Sequence, residues 1–415
     1  MAEVRKLDSA DSGPLSGVTV LDLTMHLAGP FATQILGDLG ARIIKVEPPK
    51  GDSTRDIGPY FVDGLSAYFF STNRNKESIC IDLKLPAGRE VLLSLAKKAD
   101  VVIENFRPGT MEKLGIGYDV LSEINPKIIF CSITGFGQSG PYVHHPAFDI
   151  IVQALSGGMS LTGETQGRPV RSGLPIGDVC AGMYGVIGVL TGLVRRSIEG
   201  RGAYYVDVAM LDTQVSLLSY VASYYLIGGI VPGLQGRGHM SIPTYRAFTC
   251  SDNRDVVVAA NTEKMFESLC RAIGLGEIAS DQRFSDNRRR LEHRSELYEI
   301  LEPRIAEITS GELIRLLTDA DVPVAPINHV DEALANSQVI HRNMVFDVPL
   351  GDHSAKVVGN PVKVPDERAD HLPPPRLGEH TISVLKSVLG LDDNAINELI
   401  DKGAVTAFSR EGNRT

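Results

Sequence analysis

The chain of 415 residues is 43% hydrophobic and 22% charged, with a formal net charge of −10, the balance of a soluble globular protein of two domains with a large core. No block of Lys or Arg offsets the acidic excess, which argues against nucleic acid and anionic membrane as partners. The five cysteines, Cys80, Cys131, Cys180, Cys250 and Cys270, are scattered and form no CxxC pair, so they predict neither a disulfide framework nor a zinc site and fit a reducing, cytoplasmic compartment.

The first 16 residues are polar, of mixed charge, and lack the apolar core of a signal peptide; they are expected to form a disordered tail. Strand-like and helix-like segments then alternate. TVLDLT (19–24) reads as a strand, PFATQILGDLG (30–40) as a helix ending at a glycine, and ARIIKVEPP (41–49) as a strand stopped by prolines. SICIDLK (78–84), AGREVLLSLAKKAD (87–100) and VVIENF (101–106) repeat strand, helix, strand, and KIIFCSITGFG (127–137) is a further strand running into a Gly-rich turn. This order predicts an α/β domain with a largely parallel sheet. The uncharged run 179–194 contains Gly182, Gly185, Gly188 and Gly192. It falls short of the roughly 18 apolar residues that suggest a membrane span, and predicts a buried helix whose glycines permit close packing. Residues 211–228 predict one long apolar helix, and 233–243 a Gly-rich loop. The strand DVVVAA (255–260) and the helical segments after it form a smaller α+β unit. A proline run at 371–381 precedes two closing helices near 380–389 and 393–402, and the tail SREGNRT is expected to fray.

Glu47 ends the second strand, where a ribose-binding acid would stand, but the first strand–helix turn, TMHLAGPF, has no GxGxxG to admit a pyrophosphate. No Walker loop, HExxH or GxSxG is present, and the ten histidines show no ligand spacing, so no metal is expected. The Gly-rich stretches SITGFGQSGPY (132–142) and QGRGHMSIP (235–243), the second carrying His239, predict loops that approach a ligand with backbone N–H groups. Asp178 in GLPIGDVCAGMYG (173–185) has two readings. Asp is a favoured helix N-cap, and a carboxylate at a helix N-terminus is also stabilised as an anion, ready to act as a nucleophile.

GVTVLDLTMHLAGPFATQILGDLGARIIKVEPPKGD, STNRNKESICIDLK, VVIENFRPGTMEKLGIGYDVL, NPKIIFCSITGFGQSGP, GLPIGDVCAGMYGV, GHMSIPTYRAF and LGEHT stand in one order over residues 16–405. Together they resemble the family III CoA-transferases, the CaiB/BaiF family of formyl-CoA and carnitine CoA-transferases, to which α-methylacyl-CoA racemase is related. LSYVASYYLIGG and HMSIPTYRAF carry a closer likeness to the branch that moves CoA between dicarboxylic acids such as succinate and glutarate. The resemblance implies an α/β fold in which a large Rossmann-like, CoA-binding domain is built from both chain ends (17–210 and, after a return linker, 336–415). A linker helix (211–232) leads to a small α+β middle domain (233–335), and two copies form an interlocked homodimer.

The resemblance further implies that Asp178 attacks an acyl-CoA thioester, with coenzyme A as co-substrate, a carboxylic acid as acceptor, and no resident cofactor or metal. It places CoA contacts at Leu27 and Ala28, at Ile81, Asp82, Leu83 and Lys84, at Asn105, Phe106 and Arg107, and at Lys113, where the family often has Arg. Gly236, Gly238 and His239 match the loop that shields the intermediate. A dicarboxylate acceptor leaves one carboxylate needing a cation, for which Arg171, Arg55 and Arg246 are the candidates. Formyl-CoA transferase has an arginine where Pro48 stands and a glutamine where Leu27 stands, both of which argue against formate or oxalate. The racemase needs a proton-relaying histidine where this chain has Phe148, with His144 and His145 displaced. The alternatives are thus a racemase, opposed by Phe148, and a non-catalytic CoA-binding homologue, opposed by an intact Asp178.

Overall fold

The computed structural model describes residues 13–200, 202–364 and 371–408; most of the expected N-terminal tail (1–12) and the expected frayed end (409–415) lie outside them. The five strands read from sequence are present, β1 (Thr19–Leu23), β2 (Arg42–Glu47), β3 (Lys76–Ile81), β4 (Val101–Glu104) and β5 (Ile129–Thr134), and the structure adds a sixth that the sequence reading does not contain, β6 (Tyr204–Ala209). They pair in parallel in the order β3-β2-β1-β4-β5-β6, and Val405–Thr406 adds an antiparallel edge strand to β3. Most of their residues are buried, as a parallel sheet covered on both faces requires. One core holds Val91, Leu92, Leu95, Val384 and Leu385 against the sheet. The other holds Ala32 and Leu36 of helix α1 (Ala28–Asp38) with Val186 and Val189 of helix α2 (Ile176–Glu199). The α/β expectation holds, in a doubly wound sheet.

β3 begins two residues before the predicted strand because Lys76 and Glu77 are buried in it. Lys76 Nζ donates to Asp22, Asn73 and the Pro30 carbonyl, so a charge reads as surface in the sequence but is satisfied in the interior. The run 211–228 is two helices, Met210–Leu217 and Ser219–Leu226, because Ser219 has φ +48° and breaks the repeat.

Helix α2 is buried on one face only. A Cβ on Gly182 would stand 2.6 Å from the Ala28 carbonyl oxygen, and one on Gly188 2.3 Å from Val206, so these glycines set the contact with α1 and β6. The opposite face exposes Met183, Ile187, Val194 and Ile198, which corrects the fully buried reading. By length and composition alone α2 could cross a membrane; here its glycine face packs on α1 and the sheet.

The chain divides into two compact units. The first comprises the chain up to Gly158, Arg171–Ser223 and the chain from His341 onward; the second comprises Met159–Val170 and Tyr224–Ile340. The second unit has a three-stranded antiparallel sheet, Val324–Pro326, Asp255–Ala259, Tyr245–Thr249, packed on Phe266, Leu269, Leu297, Leu301 and Leu313. It also takes in Met159–Val170, which the sequence reading left in the large domain. Backbone N–H groups of Gln235 and Gly236 donate to Leu161 and Gly163, tying that segment to the Gly-rich loop.

Candidate active site

The strand order reverses between β1 and β4, and in a doubly wound sheet the crevice beyond the carboxyl ends of such strands is where ligands bind. Two loops stand there, 24–27 after β1 and 105–108 after β4. Asn105 joins them: its amide donates to the Met25 carbonyl at 2.8 Å and accepts from the Met25 N–H at 2.9 Å. Beneath the first loop lies a buried ionic network. Lys45 Nζ donates to the Thr24 carbonyl and to Asp52, and Asp22 takes Lys76 and the hydroxyls of Thr24 and Thr33. Burial opposes ionisation of Asp22, but Lys76, Lys45 and the threonines outweigh it and hold the carboxyl well below the usual range. Such buried pairs contribute geometry more than stability; here they fix the loop that carries His26 (φ +67°) into α1.

Asp178 is not the cap of α2. The cap position is Pro175, which offers no side-chain bond, and Asp178 is the third residue of the helix. The capping acceptor comes from elsewhere: Asp149 Oδ1 takes the Gly177 N–H at 2.7 Å. No hydrogen bond reaches the Asp178 carboxyl among the described residues, and it lines a cavity of about 380 Å³ with His26, Ala28, Tyr68, Arg107 and Phe148. Burial, and secondarily the charge of Asp149, push the Asp178 carboxyl up to about 7. An unbonded carboxylate of raised basicity in a cavity is a nucleophile or a base.

A second cavity of about 770 Å³ is lined by Leu23, Val46, Pro48, Ile81, Leu83 and Leu114, with Lys50, Lys84 and Lys113 around it. Phe106 lines both cavities. The structure thus places Ile81, Asp82, Leu83, Lys84 and Lys113 at the larger cavity and Ala28, Asn105 and Arg107 at the cavity of Asp178. Leu27 is half-buried and lines neither. An apolar trough edged by lysines suits a ligand with an apolar body and anionic groups.

Of the arginines proposed for the acceptor, Arg55 is committed elsewhere. It pairs with Glu47 at 2.6 Å, donates to the Pro375 carbonyl and stacks on Phe69 at 3.9 Å. The Glu47 carboxylate is correspondingly filled by Arg55, Ser78 and the Asp52 N–H, which leaves it no capacity for a ribose. Arg171 is exposed, donates to the Ser172 carbonyl and does not line the Asp178 cavity. In the second unit Arg246 pairs with Glu302 at 2.8 Å and lies over Tyr298 at 3.8 Å. With Gly238 and His239 it lines a cavity of about 650 Å³.

The Gly-rich loop does not present its amides as predicted. The N–H groups of Gln235, Gly236, Gly238 and His239 all donate to carbonyls within the second unit. In the other Gly-rich turn, Gly137 N–H donates to Thr134 and Gln138 N–H to Asp207, while Thr134, Gly135 and Phe136 line the Asp178 cavity. Sequence reasoning missed His26, Tyr68 and Asp149. His26 and Tyr68 lie in stretches singled out for other residues, and Asp149 was visible only as the neighbour of Phe148.

Among the described residues no group of three or more His, Cys, Asp or Glu is placed to hold a metal. The family model described as CoA-transferase family III matches residues 15–381. The succinyl-CoA:glutarate CoA-transferase of Homo sapiens is 40% identical over 94% of this chain and 90% of its own. The succinate–glutarate CoA-transferase of Agrobacterium fabrum is 37% identical over 92% of this chain and 97% of its own. A crystal structure of a CaiB/BaiF family protein from Brucella suis superposes with a TM-score of 0.81 at 36% identity, covering 91% of this chain and all of that one.

Proposed function

The chain belongs to CoA-transferase family III, and on that premise we propose that this CoA-transferase moves CoA from succinyl-CoA, or a similar acyl-CoA, to a dicarboxylic acid, with Asp178 as its nucleophile. The observation that carries the reading is the Asp178 carboxyl, unbonded and opening into a cavity that shares Phe106 with an apolar, lysine-edged trough. The trough suits the body of CoA, with Lys50, Lys84 and Lys113 toward its phosphates. Relatives named for succinyl, succinate and glutarate support the dicarboxylate class.

An Asp178 oxygen attacks the thioester carbonyl; the C–S bond breaks, leaving an aspartyl–acyl anhydride and CoA thiolate. The thiolate attacks the aspartyl carbonyl, releasing the donor carboxylate and leaving an aspartyl-CoA thioester. The acceptor carboxylate displaces the thiolate to form a new anhydride. Attack of the thiolate on the acceptor's acyl carbon then frees Asp178. Every intermediate stays activated, so one difficult exchange becomes several easier ones, provided the cavity keeps water from the anhydride. As the family implies, we take the working form to be a homodimer, in which a second copy would cover the exposed apolar face of α2.

The test is to incubate the protein with succinyl-CoA and no acceptor, then map covalent CoA by mass spectrometry of the peptide containing Asp178. CoA on Asp178 is the expected result; exchange without any aspartyl adduct, even after rapid acid quench, rejects the mechanism. One observation favours a second reading, a racemase: His26 and His145 line the cavity with Asp178 although Phe148 does not titrate. Deuterium entering the α-position of a 2-methylacyl-CoA in heavy water would support it.

A further inference from the structure

Asp149 and Gln153 lie on the short helix Asp149–Leu155 and take no part in the exchange steps above. They form a clamp on the chain entering α2. Asp149 Oδ1 accepts the Gly177 N–H at 2.7 Å, and its Oδ2 accepts the Gln153 amide at 2.6 Å. Gln153 is 3% exposed; its carbonyl oxygen accepts the Ser172 N–H at 2.9 Å and its amide reaches the Leu174 carbonyl at 3.4 Å. The two side chains therefore hold three points of the turn 172–177. Gly177 admits them: a Cβ there would come within 2.9 Å of Asp149 Oδ1 and 2.7 Å of Gln214 Nε2. Among the described residues that Gln214 amide nitrogen is buried and has no hydrogen-bond partner.

A helix start leaves N–H groups that seek an acceptor, usually the side chain of the N-cap residue; Pro175 supplies none, and Asp178 is the carboxylate of the first turn. If Asp178 filled that role, its lone pairs would be held by the backbone and its nucleophilicity spent. We propose that Asp149 is a positioning residue: it takes over the capping of α2 so that the Asp178 carboxyl stays unbonded and aimed into its cavity. The inference rests on the proposed nucleophilic role of Asp178. The raised Asp178 carboxyl, with Asp149 as its second cause, agrees with the geometry. The other titratable or charged groups around the pair are Tyr68, whose hydroxyl burial, Asp178, Asp52 and Asp149 push up, His26, His145, Arg107 and Cys180. None of them donates to Asp178 among the described residues.

The test compares Asp149→Asn, Gln153→Met and wild type in steady-state CoA transfer from succinyl-CoA across pH 5–9, with Asp178→Asn as the control. In Asp149→Asn the acid limb of kcat/KM should move to lower pH, because the neighbouring negative charge is gone. Asn keeps an acceptor for the Gly177 N–H but sets an amide N–H against the Gln153 amide, so the clamp on 172–177 loosens and the plateau kcat should fall about tenfold. KM for the acyl-CoA should stay within about threefold. A merely structural role would lower the yield of folded protein and leave the limb where it is. An unmoved limb, or a rise in KM with kcat intact, overturns the proposal. If Asp149→Asn does not fold, Gln153→Met decides: it keeps the charge but removes the amide that fixes it, so kcat must fall with the limb in place, and an unchanged kcat overturns the proposal. Turnover by Asp178→Asn would instead overturn the nucleophile reading, so the two failures are distinguishable.

Discussion

Replacing Asp178 by Asn should abolish exchange and stabilise the fold, and the sign of the second effect separates a buried nucleophile from a helix cap. The carboxyl is pushed from 3.8 to about 7, first by burial and then by Asp149. That displacement corresponds to about 4 kcal/mol against the charged form, which partial solvent access at the cavity reduces to about 2 kcal/mol. The sign follows from proton binding. Between 3.8 and about 7 the folded protein holds a proton that the unfolded chain has released, so this group's contribution to stability falls as pH rises through that window and stays low above it. Asn carries no charge and escapes the penalty. The difference in melting temperature, variant minus wild type, should be near zero at pH 4.5 and grow to about 2–3 °C by pH 8. Thermal unfolding by circular dichroism at matched ionic strength measures it, alongside a transfer assay expected to lose roughly 10⁴-fold or more. A variant that melts below wild type by a constant amount at every pH, as loss of a cap worth about 1 kcal/mol would give, would refute the reasoning.

Three further outcomes are expected. If Lys84 and Lys113 meet CoA phosphates as proposed, Lys84→Ala and Lys113→Ala should each raise KM for the acyl-CoA about fivefold, more at low salt, with kcat unchanged, because an exposed phosphate contact contributes about 1 kcal/mol of uniform binding; kinetics at two ionic strengths check this. Gly182→Ala should cost about 1–3 kcal/mol in urea unfolding, since its Cβ would meet the Ala28 carbonyl at 2.6 Å between two packed helices. Arg246→Gln should lower kcat/KM for glutarate more than for a monocarboxylate acceptor, because its partner Glu302 is 52% exposed against 11% for the arginine and can yield to an incoming carboxylate; equal losses for both acceptors would remove Arg246 from substrate choice.

What the sequence disclosed and what it hid divide along one physical line. Strands β1, β2, β4 and β5 announce themselves because apolar runs between Gly and Pro punctuation are local signals. The 3-2-1-4-5-6 order then puts the ends of β1 and β4 side by side, so the stretches after them, read separately as HLAGP and NFRPG, become one crevice. Interactions that satisfy charge in the interior are not local. Lys45, Lys76 and Glu47 carry charges that no local pattern marks as interior, yet each is at most 3% exposed and paired with a group 5 to 54 positions away.

The same holds for the central aspartate. Local rules made a cap a full competitor for Asp178, because an Asp before an apolar run is what a cap looks like. The competitor fails on a contact across 28 positions, Asp149 to the Gly177 N–H, which no window around Asp178 contains. A residue that breaks its local rule only because a distant one fulfils it is where function is to be sought. By that criterion Asp149 carries as much information about the proposed chemistry as Asp178 does: the freedom of the Asp178 carboxyl is a property of the pair.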